Sequence, residues 1–213
     1  MHPRPALVLV QLFEEGRDGG RQKADLMVDP DLSLLDATGR GDPDAFESLV
    51  KRYQRPLLNF IARYLGDRSA AEDLTQEVFL RIYRAASRFE AKTKVSTWVF
   101  RIAYNLVLTE IGRRSRCQDL RESLSRSGAE GARGILTDPL ERLELEEEIM
   151  DELGRLPGNQ RAALLLRINE DLSYLEIGEI LGIGVQSVES LLFRARKNLR
   201  ESLGRTKKQG AKR

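Results

Sequence analysis

The chain has 213 residues, a length that allows one large domain or two small ones, and a formal net charge of only +2. Its single cysteine, Cys117, excludes a disulfide framework, and with a single histidine, His2, it has no plausible zinc cluster. The charges are segregated, because residues 141–152 are acidic whereas residues 113–116 and the tail from Arg205 are basic. The small net charge therefore understates any affinity for nucleic acid.

The first residues, 1–28, are predicted to be an N-terminal extension. The apolar run at residues 6–13 is too short to cross a bilayer and is followed at once by Glu14 and Glu15. It also lacks a signal-peptide pattern, so we expect a soluble, cytoplasmic protein without membrane insertion. The organised pattern begins just after Met27. Residues 1–26 are either an upstream extension of a misassigned start or a tail with its own partner.

Residues 42–65 have the pattern of a long amphipathic helix. Asp42 is the predicted N-cap, and Pro43 stands at the first helical position, where proline is well tolerated. Apolar residues then recur on one stripe. Because Pro56 lacks a backbone N–H and crowds the preceding turn, we expect the helix to bend or break there.

Two more helices are predicted in this half of the chain. Ser69 and Glu72 have the spacing of a capping box that starts a helix ending near Ala86. A third helix spans residues 96–113, with Tyr104 expected near the surface. No segment alternates with period two, so the predicted class is all-α without a sheet.

A change of composition divides the chain. Residues 117–139 have few apolar side chains and are predicted to be an interdomain linker, because burial there could not offset the entropy of ordering. Helical patterns return in residues 140–204, with a break at 154–157, and residues 205–213 form a basic tail. We therefore predict two small helical domains, of which the first spans residues 29–116.

Residues 172–199 predict a helix-turn-helix. Ser173 and Glu176 have capping-box spacing, and Gly182 and Gly184 allow a reversal of direction. The second helix has an apolar stripe, which consists of Val188, Leu192, Ala195 and Leu199. The opposite, polar face suits the DNA major groove. The alternative is an ordinary amphipathic hairpin with a solvated face.

Aromatic and basic side chains cluster in the first half of the chain. The rings are Phe89, Trp98, Phe100 and Tyr104, and they lie near Lys92, Lys94 and Arg101. Rings can stack on unpaired bases while cations neutralise phosphates, so the cluster is typical of a single-strand platform. The alternative is that these rings belong to the core.

Catalytic constellations are absent from the sequence. It has no glycine-rich phosphate loop, no nucleophile with a usable histidine and no carboxylates at metal-ligand spacing. We expect neither catalysis nor a metal or other cofactor.

Two segments resemble the extracytoplasmic-function (group 4) sigma factors of bacterial RNA polymerase. They are AEDLTQEVFLRIYRAASRF with STWVFRIAYNL, and LPGNQRAALLLRINEDLSYLEIGEILGIGVQSVESLLFRARKNL. The resemblance implies a sigma-2-like domain at residues 29–116 and a sigma-4-like domain at residues 140–204. Gly178 departs from a common alanine, and we expect it to permit close packing at some cost in helix stability.

The resemblance also implies roles for individual residues. The core polymerase contacts would be Asp73, Gln76, Glu77 and Leu80. The minus-10 contacts, including capture of a flipped base, would be Phe89, Lys92, Lys94, Trp98, Arg101, Asn105, Arg113 and Arg114. The minus-35 contacts would be Ser187, Glu189, Ser190, Phe193, Arg194 and Lys197.

The implied function is promoter-specific initiation of transcription. The expected partners are the RNA polymerase core, promoter DNA as duplex and as melted strand, and an anti-sigma factor. Three alternatives remain open. The chain could be a helix-turn-helix regulator that acts without polymerase, an interaction scaffold or inhibitor, or, least favoured, a nucleic-acid enzyme.

Overall fold

The computed structural model describes residues 29–124, 144–170 and 172–210. All regular elements in these ranges are helical, which confirms the predicted all-α class. The predictions for residues 1–28, for residues 125–139 of the linker and for the last residues of the tail, 211–213, lie outside the described part of the chain.

The described helices form two lobes. The first lobe, residues 29–124, contains α1 (Leu32–Gly39), α2 (Pro43–Leu65), α3 (Arg68–Ala85), a 3-10 turn (Ala86–Arg88) and α4 (Val95–Leu124). The second lobe, residues 144–210, contains α5 (Glu144–Arg155), α6 (Gly158–Glu170), α7 (Tyr174–Leu181) and α8 (Val185–Gly210). The lobes also pack on each other, with α2 against α6 and α4 against α7.

Helix α2 begins as the sequence predicts but does not break. The Asp42 carboxylate accepts hydrogen bonds from the backbone N–H groups of Asp44 and Ala45, and Pro43 follows the cap. The helix continues through Pro56 to Leu65, so a break is excluded and the other predicted outcome, a bend at Pro56, stays a prediction. The stripe on either side of the proline is buried against the neighbouring helices, and this burial outweighs one missing hydrogen bond.

Helix α3 starts at a different cap from the predicted one. Its N-cap is Asp67, whose carboxylate accepts from the N–H of Ala70 at 3.0 Å. The predicted Ser69–Glu72 capping box is therefore wrong, because Ser69 already lies inside the first turn and Glu72 pairs with Arg68. A left-handed residue, Gly66 (φ 67°), ends α2 and leaves Asp67 extended in front of α3.

Helix α4 is longer than predicted and buries one residue expected at the surface. It extends to Leu124 rather than Arg113, so residues 117–124 are helical. Ion pairs from Glu110 to Arg113 and Arg114 reinforce the helix where its apolar stripe ends. Tyr104 is only 5% exposed, because its side chain faces the second lobe.

Helix α1 was not predicted from the sequence. It has eight residues, too few to establish a helical period, yet it packs on α2 and buries Leu35 completely. Its N-terminus is tied to α2, where the hydroxyl of Tyr53 donates to the carboxylate of Asp31 at 2.5 Å.

The helix-turn-helix forms as predicted. Ser173 and Glu176 make the reciprocal capping box, and Gly182 (φ 69°) ends α7 in the left-handed conformation. A Cβ on Gly178 would come within 2.7 Å of the carbonyl oxygen of Ile183, which confirms that this glycine permits close packing. The predicted apolar stripe of α8 is at most 1% exposed.

Candidate nucleic-acid interface

The outward face of α8 is open to solvent. All six minus-35 candidates are exposed, namely Ser187, Glu189, Ser190, Phe193, Arg194 and Lys197. Phe193 is 69% exposed, which is unusual for a large apolar ring in a protein surface. Capping of α7 and burial of the opposite stripe hold this helix in place, so the face is presented on a rigid element.

The aromatic cluster of the first lobe divides into two parts. Phe89 and Trp98 are half-buried and pair with their ring centroids 5.0 Å apart and their planes at 58°. By contrast, Phe100 is only 1% exposed and packs edge-on against Phe60, while Tyr104 packs edge-on against Tyr64. The predicted four-ring platform is therefore wrong, and only two rings remain accessible.

Two basic candidates next to these rings are engaged by the second lobe. The Lys94 ammonium lies 3.1 Å from a carboxylate oxygen of Glu176, in the first turn of α7. The Arg101 guanidinium donates to the backbone carbonyl of Glu179 from Nε at 3.0 Å and from Nη2 at 2.6 Å. The hydroxyl of Thr93 donates to the Glu179 carboxylate at 2.5 Å.

The electrostatics of Glu176 reflect this contact. Burial raises its pKa, but the hydrogen bonds from Ser173 and the nearby Lys94 ammonium lower the pKa by more than burial raises it. The net pKa of Glu176 therefore lies below the ordinary value. One carboxylate thus both caps α7 and holds a lysine of the first lobe. Thr93, Glu176 and Glu179 were not predicted as neighbours, because no sequence pattern encodes a contact between segments eighty residues apart.

A second set of contacts joins the lobes beyond the rings. Arg161 donates to the Tyr64 carbonyl at 2.8 Å and lies over the Tyr64 ring, 5.5 Å from its centroid. Burial lowers the pKa of Arg161. The Tyr104 hydroxyl donates to the Asn159 side-chain oxygen at 3.2 Å. Tyr64 and Tyr104 therefore belong to the seam between the lobes.

The basic part of α4 lies farther along the helix. Asn105 is exposed, whereas Arg113 and Arg114 each donate to the Glu110 carboxylate, at distances from 2.7 to 2.8 Å. These hydrogen bonds lower the pKa of Glu110 to about 2, and the bonds from Arg113 contribute most to this shift. Arg114 also donates to Asp67 at 2.7 Å. The two arginines are thus oriented by carboxylates of their own lobe.

The predicted polymerase contacts lie on one exposed stretch of α3. Asp73, Gln76 and Leu80 are exposed, and Glu77 is half-buried beside Arg81, which donates to it at 2.8 Å. Leu80 is 49% exposed.

Tyr83, one turn further along α3, is 52% exposed and packs edge-on against Phe46 with a centroid separation of 5.1 Å. Sequence reasoning missed Tyr83, although its spacing of three residues from Leu80 places both on one face.

Two kinds of feature are absent from the described residues. No group of three or more histidine, cysteine, aspartate or glutamate side chains within residues 29–124, 144–170 and 172–210 is placed to hold a metal ion. In the same part of the chain, no helix is both long and apolar enough to cross a bilayer.

Comparison with known proteins agrees with this layout. Sigma-70 region 2 matches residues 49–117, in the first lobe, and Sigma-70 region 4 matches residues 146–199, in the second lobe. The ECF RNA polymerase sigma factor SigW of Bacillus subtilis (strain 168) is 36% identical, over 77% of this chain and 91% of the relative. The ECF RNA polymerase sigma-E factor of Escherichia coli (strain K12) is 36% identical, over 78% of this chain and 90% of the relative.

A solved structure shares the fold. The sigma factor RpoE from Bartonella quintana, solved in complex with the anti-sigma factor NepR, superimposes with a TM-score of 0.61 at 24% identity, over 75% of this chain and 96% of that one.

The two matched regions, in this order, define the sigma-70 class of transcription initiation factor. Within that class, the chain belongs to the extracytoplasmic-function (ECF) sigma factors. It therefore binds RNA polymerase core and directs transcription from specific promoters. This result confirms the resemblance found in the sequence, and no finding supports a regulator that acts without polymerase.

Proposed function

We propose that the two lobes divide promoter recognition between them. The first domain, predicted as residues 29–116, docks on the core polymerase and captures the melted minus-10 strand. The second domain, predicted as residues 140–204, reads the minus-35 element as duplex. The observation that carries this proposal is the exposure of the α8 polar face opposite a completely buried apolar stripe.

Reading of the minus-35 element uses the outward face of α8. Arg194 and Lys197 supply cations for base edges and phosphates, Ser187 and Ser190 supply hydroxyls, and the exposed ring of Phe193 offers an apolar contact for a thymine methyl group. Glu189 can accept a hydrogen bond from a cytosine amino group.

Capture of the minus-10 strand uses the pair formed by Phe89 and Trp98. These two half-buried rings form a surface on which an extruded base can stack, and Lys92, Lys94 and Arg101 provide cations for the strand backbone. Asn105, Arg113 and Arg114 would contact DNA farther upstream, along the same helix.

Core binding uses the exposed face of α3. Leu80 and Tyr83 form its apolar part, and Asp73, Gln76 and Glu77 form a polar part in the preceding turns of the same helix. Apolar anchors with polar side chains beside them are the usual composition of a specific protein interface.

The two lobes must separate when the minus-10 strand binds. Glu176 and Glu179 of α7 contact Thr93 and two residues that we propose to face that strand, Lys94 and Arg101. A melted strand and α7 therefore compete for one surface. Because two moderate DNA contacts on one polypeptide raise each other's local concentration, promoter specificity arises in the holoenzyme rather than in the free chain.

An inhibitory partner is part of the same proposal. The exposed apolar side chains Leu80, Tyr83 and Phe193 lie on the faces that polymerase and DNA would use, so a protein covering them would block both interactions. We expect an anti-sigma factor to do this. We also infer that the chain acts in the cytoplasm, that it uses no cofactor and that it is not itself an enzyme.

Run-off transcription with purified core polymerase tests the proposal. Core enzyme plus this chain should start transcripts at a defined site on a genomic fragment, whereas core alone and chain alone should not. A chain that binds a duplex operator tightly and alters transcription without joining the polymerase would contradict it.

A further inference from the structure

The first turn of α4 is capped by a residue that lies at the start of the lobe in sequence. Helix α4 begins at Val95, and the preceding residue, Lys94, has no side-chain oxygen that could accept a hydrogen bond from the helix start. Instead, the Asp29 carboxylate accepts a hydrogen bond from the backbone N–H of Val95 at 2.7 Å. The bond spans 66 residues of sequence.

Asp29 is itself held at two points. Its second carboxylate oxygen accepts from the N–H of Asp31 at 3.0 Å, and its carbonyl accepts from the N–H of Leu32 at 3.1 Å. Asp31 is in turn buried, paired with Arg52 and bonded to the hydroxyl of Tyr53. The Asp29 carboxylate is thus fixed to helices α1 and α2 rather than attached to a loose terminus.

The capped turn adjoins the groups proposed to capture a base. The loop at residues 89–94 carries Phe89 and leads directly into Val95, which is completely buried. The N–H of Trp98 donates to the carbonyl of Lys94 at 3.1 Å, so the first turn of α4 sets where the Trp98 ring lies against Phe89. A carboxylate at this point also faces the positive end of the helix dipole.

We propose that Asp29 is a positioning residue for base capture, because it fixes the first turn of α4 and with it the geometry of Phe89 and Trp98. This inference rests on the proposed function of that ring pair. It assigns to the segment just before α1 a role in strand opening. No role in DNA contact is assigned to Asp29 itself.

The test compares two cap variants in the reconstituted holoenzyme. Asp29→Ala removes the cap of α4, and the control Asp42→Ala removes the cap of α2, where an exposed carboxylate accepts from two N–H groups of its own helix rather than from α4. The probe is a non-template-strand oligonucleotide that carries the minus-10 element of a promoter the holoenzyme transcribes. Matched oligonucleotides lack a single base at each position in turn.

The expected result is a loss of base discrimination in one variant only. Both caps should contribute comparably to stability, so both variants should show a similar drop in melting temperature. Only Asp29→Ala should lower, by about fivefold, the ratio of affinities for the intact and the abasic strand. Asp29→Asn keeps one acceptor oxygen and should restore part of this ratio. If the alanine variant does not fold, the asparagine variant takes its place in the comparison.

Two outcomes would contradict the inference, and each contradicts a different claim. If the wild-type holoenzyme discriminates the captured base but Asp29→Ala and Asp29→Asn discriminate it equally well, the positioning role of Asp29 is wrong and base capture stands. If the wild-type holoenzyme binds every abasic strand as well as the intact one, base capture by Phe89 and Trp98 is wrong, and the role of Asp29 is wrong with it.

Discussion

The two candidate DNA surfaces of this chain differ in their availability. The α8 face projects into solvent, with Phe193 69% exposed and Arg194 exposed beside it. The surface around Phe89 and Trp98 instead has its basic side chains engaged, because Lys94 and Arg101 contact α7 of the second lobe. With the lobes in contact, the α8 face is accessible, whereas the proposed minus-10 surface would become free for DNA only after the lobes part.

This difference links promoter reading to the order of binding. The proposed minus-35 face needs no rearrangement, so we expect it to engage duplex DNA first. In the proposed mechanism the minus-10 surface exchanges its contacts with Glu176 and Glu179 for contacts with phosphates, and we expect polymerase binding to favour this exchange by holding the lobes apart.

The largest effect is expected from disrupting the side chain that would anchor the first lobe on polymerase. Leu80→Arg places a charge in the apolar part of the α3 face, and we expect it to weaken core binding by about thirtyfold or more, the size typical of an interface hot spot. Competition binding to purified core polymerase measures this loss. Leu108→Arg is the control, because Leu108 is similarly exposed, at 43%, but lies on α4. Equal effects of the two substitutions would contradict the assignment of the α3 face.

A smaller effect is expected on the open DNA surface. Arg194→Ala should weaken holoenzyme binding to a promoter with its minus-35 element by about tenfold, in the range of one lost base contact. Electrophoretic mobility shift with closed complexes measures it. Scrambling the minus-35 element should remove the difference between wild type and variant. A difference that persists on the scrambled promoter would show that Arg194 contacts phosphates only.

A gain in DNA affinity, rather than a loss, is expected from a substitution where the lobes meet. Glu179→Ala removes the acceptor of the Thr93 hydroxyl but keeps the backbone carbonyl that Arg101 contacts. Loss of one charge-assisted hydrogen bond should raise the affinity of the free chain for a single-stranded minus-10 oligonucleotide by about fivefold. Fluorescence anisotropy measures this, and Asp151→Ala, an exposed carboxylate of the second lobe, is the control. An unchanged or reduced affinity would show that the lobes do not compete with DNA.

The smallest effect concerns acid stability of the first lobe. The pKa of Glu110 is lowered to about 2 by the two arginines, so its stabilising contribution is complete above its unfolded-state pKa near 4.5 and is lost as the pH falls from there towards 2. Glu110→Gln should therefore make the denaturation midpoint less dependent on pH in this range. Urea unfolding followed by circular dichroism at several pH values measures it. A variant with the same pH dependence as wild type would contradict the pairing.

The sequence predicted best those features that depend on neighbouring residues. The Ser173–Glu176 capping box and the buried and exposed faces of α8 follow from short spacings, and both formed as predicted. The cap of α3 was misplaced because Ser69 and Asp67 are both good caps, and only the left-handed turn at Gly66 decides between them.

The sequence predicted least well the features that depend on contact between the lobes. Periodicity cannot tell that Tyr104 meets Asn159, so a buried residue was expected at the surface. Nor can spacing reveal that Asp29 caps a helix 66 residues later. The residue roles at the polymerase and promoter surfaces came from the resemblance and stay predictions.

The division of labour between the lobes is tested most directly by following closed-complex formation and strand opening separately, using core polymerase with the Trp98→Ala or the Arg194→Ala variant. Mobility shift reports closed complexes, and permanganate reactivity of unpaired thymines reports opening. We predict that Trp98→Ala forms closed complexes normally but fails to open the promoter, whereas Arg194→Ala is impaired in forming closed complexes. If both substitutions impaired the same step, or if the free chain bound the duplex promoter as tightly as the holoenzyme, the division between the lobes would be wrong.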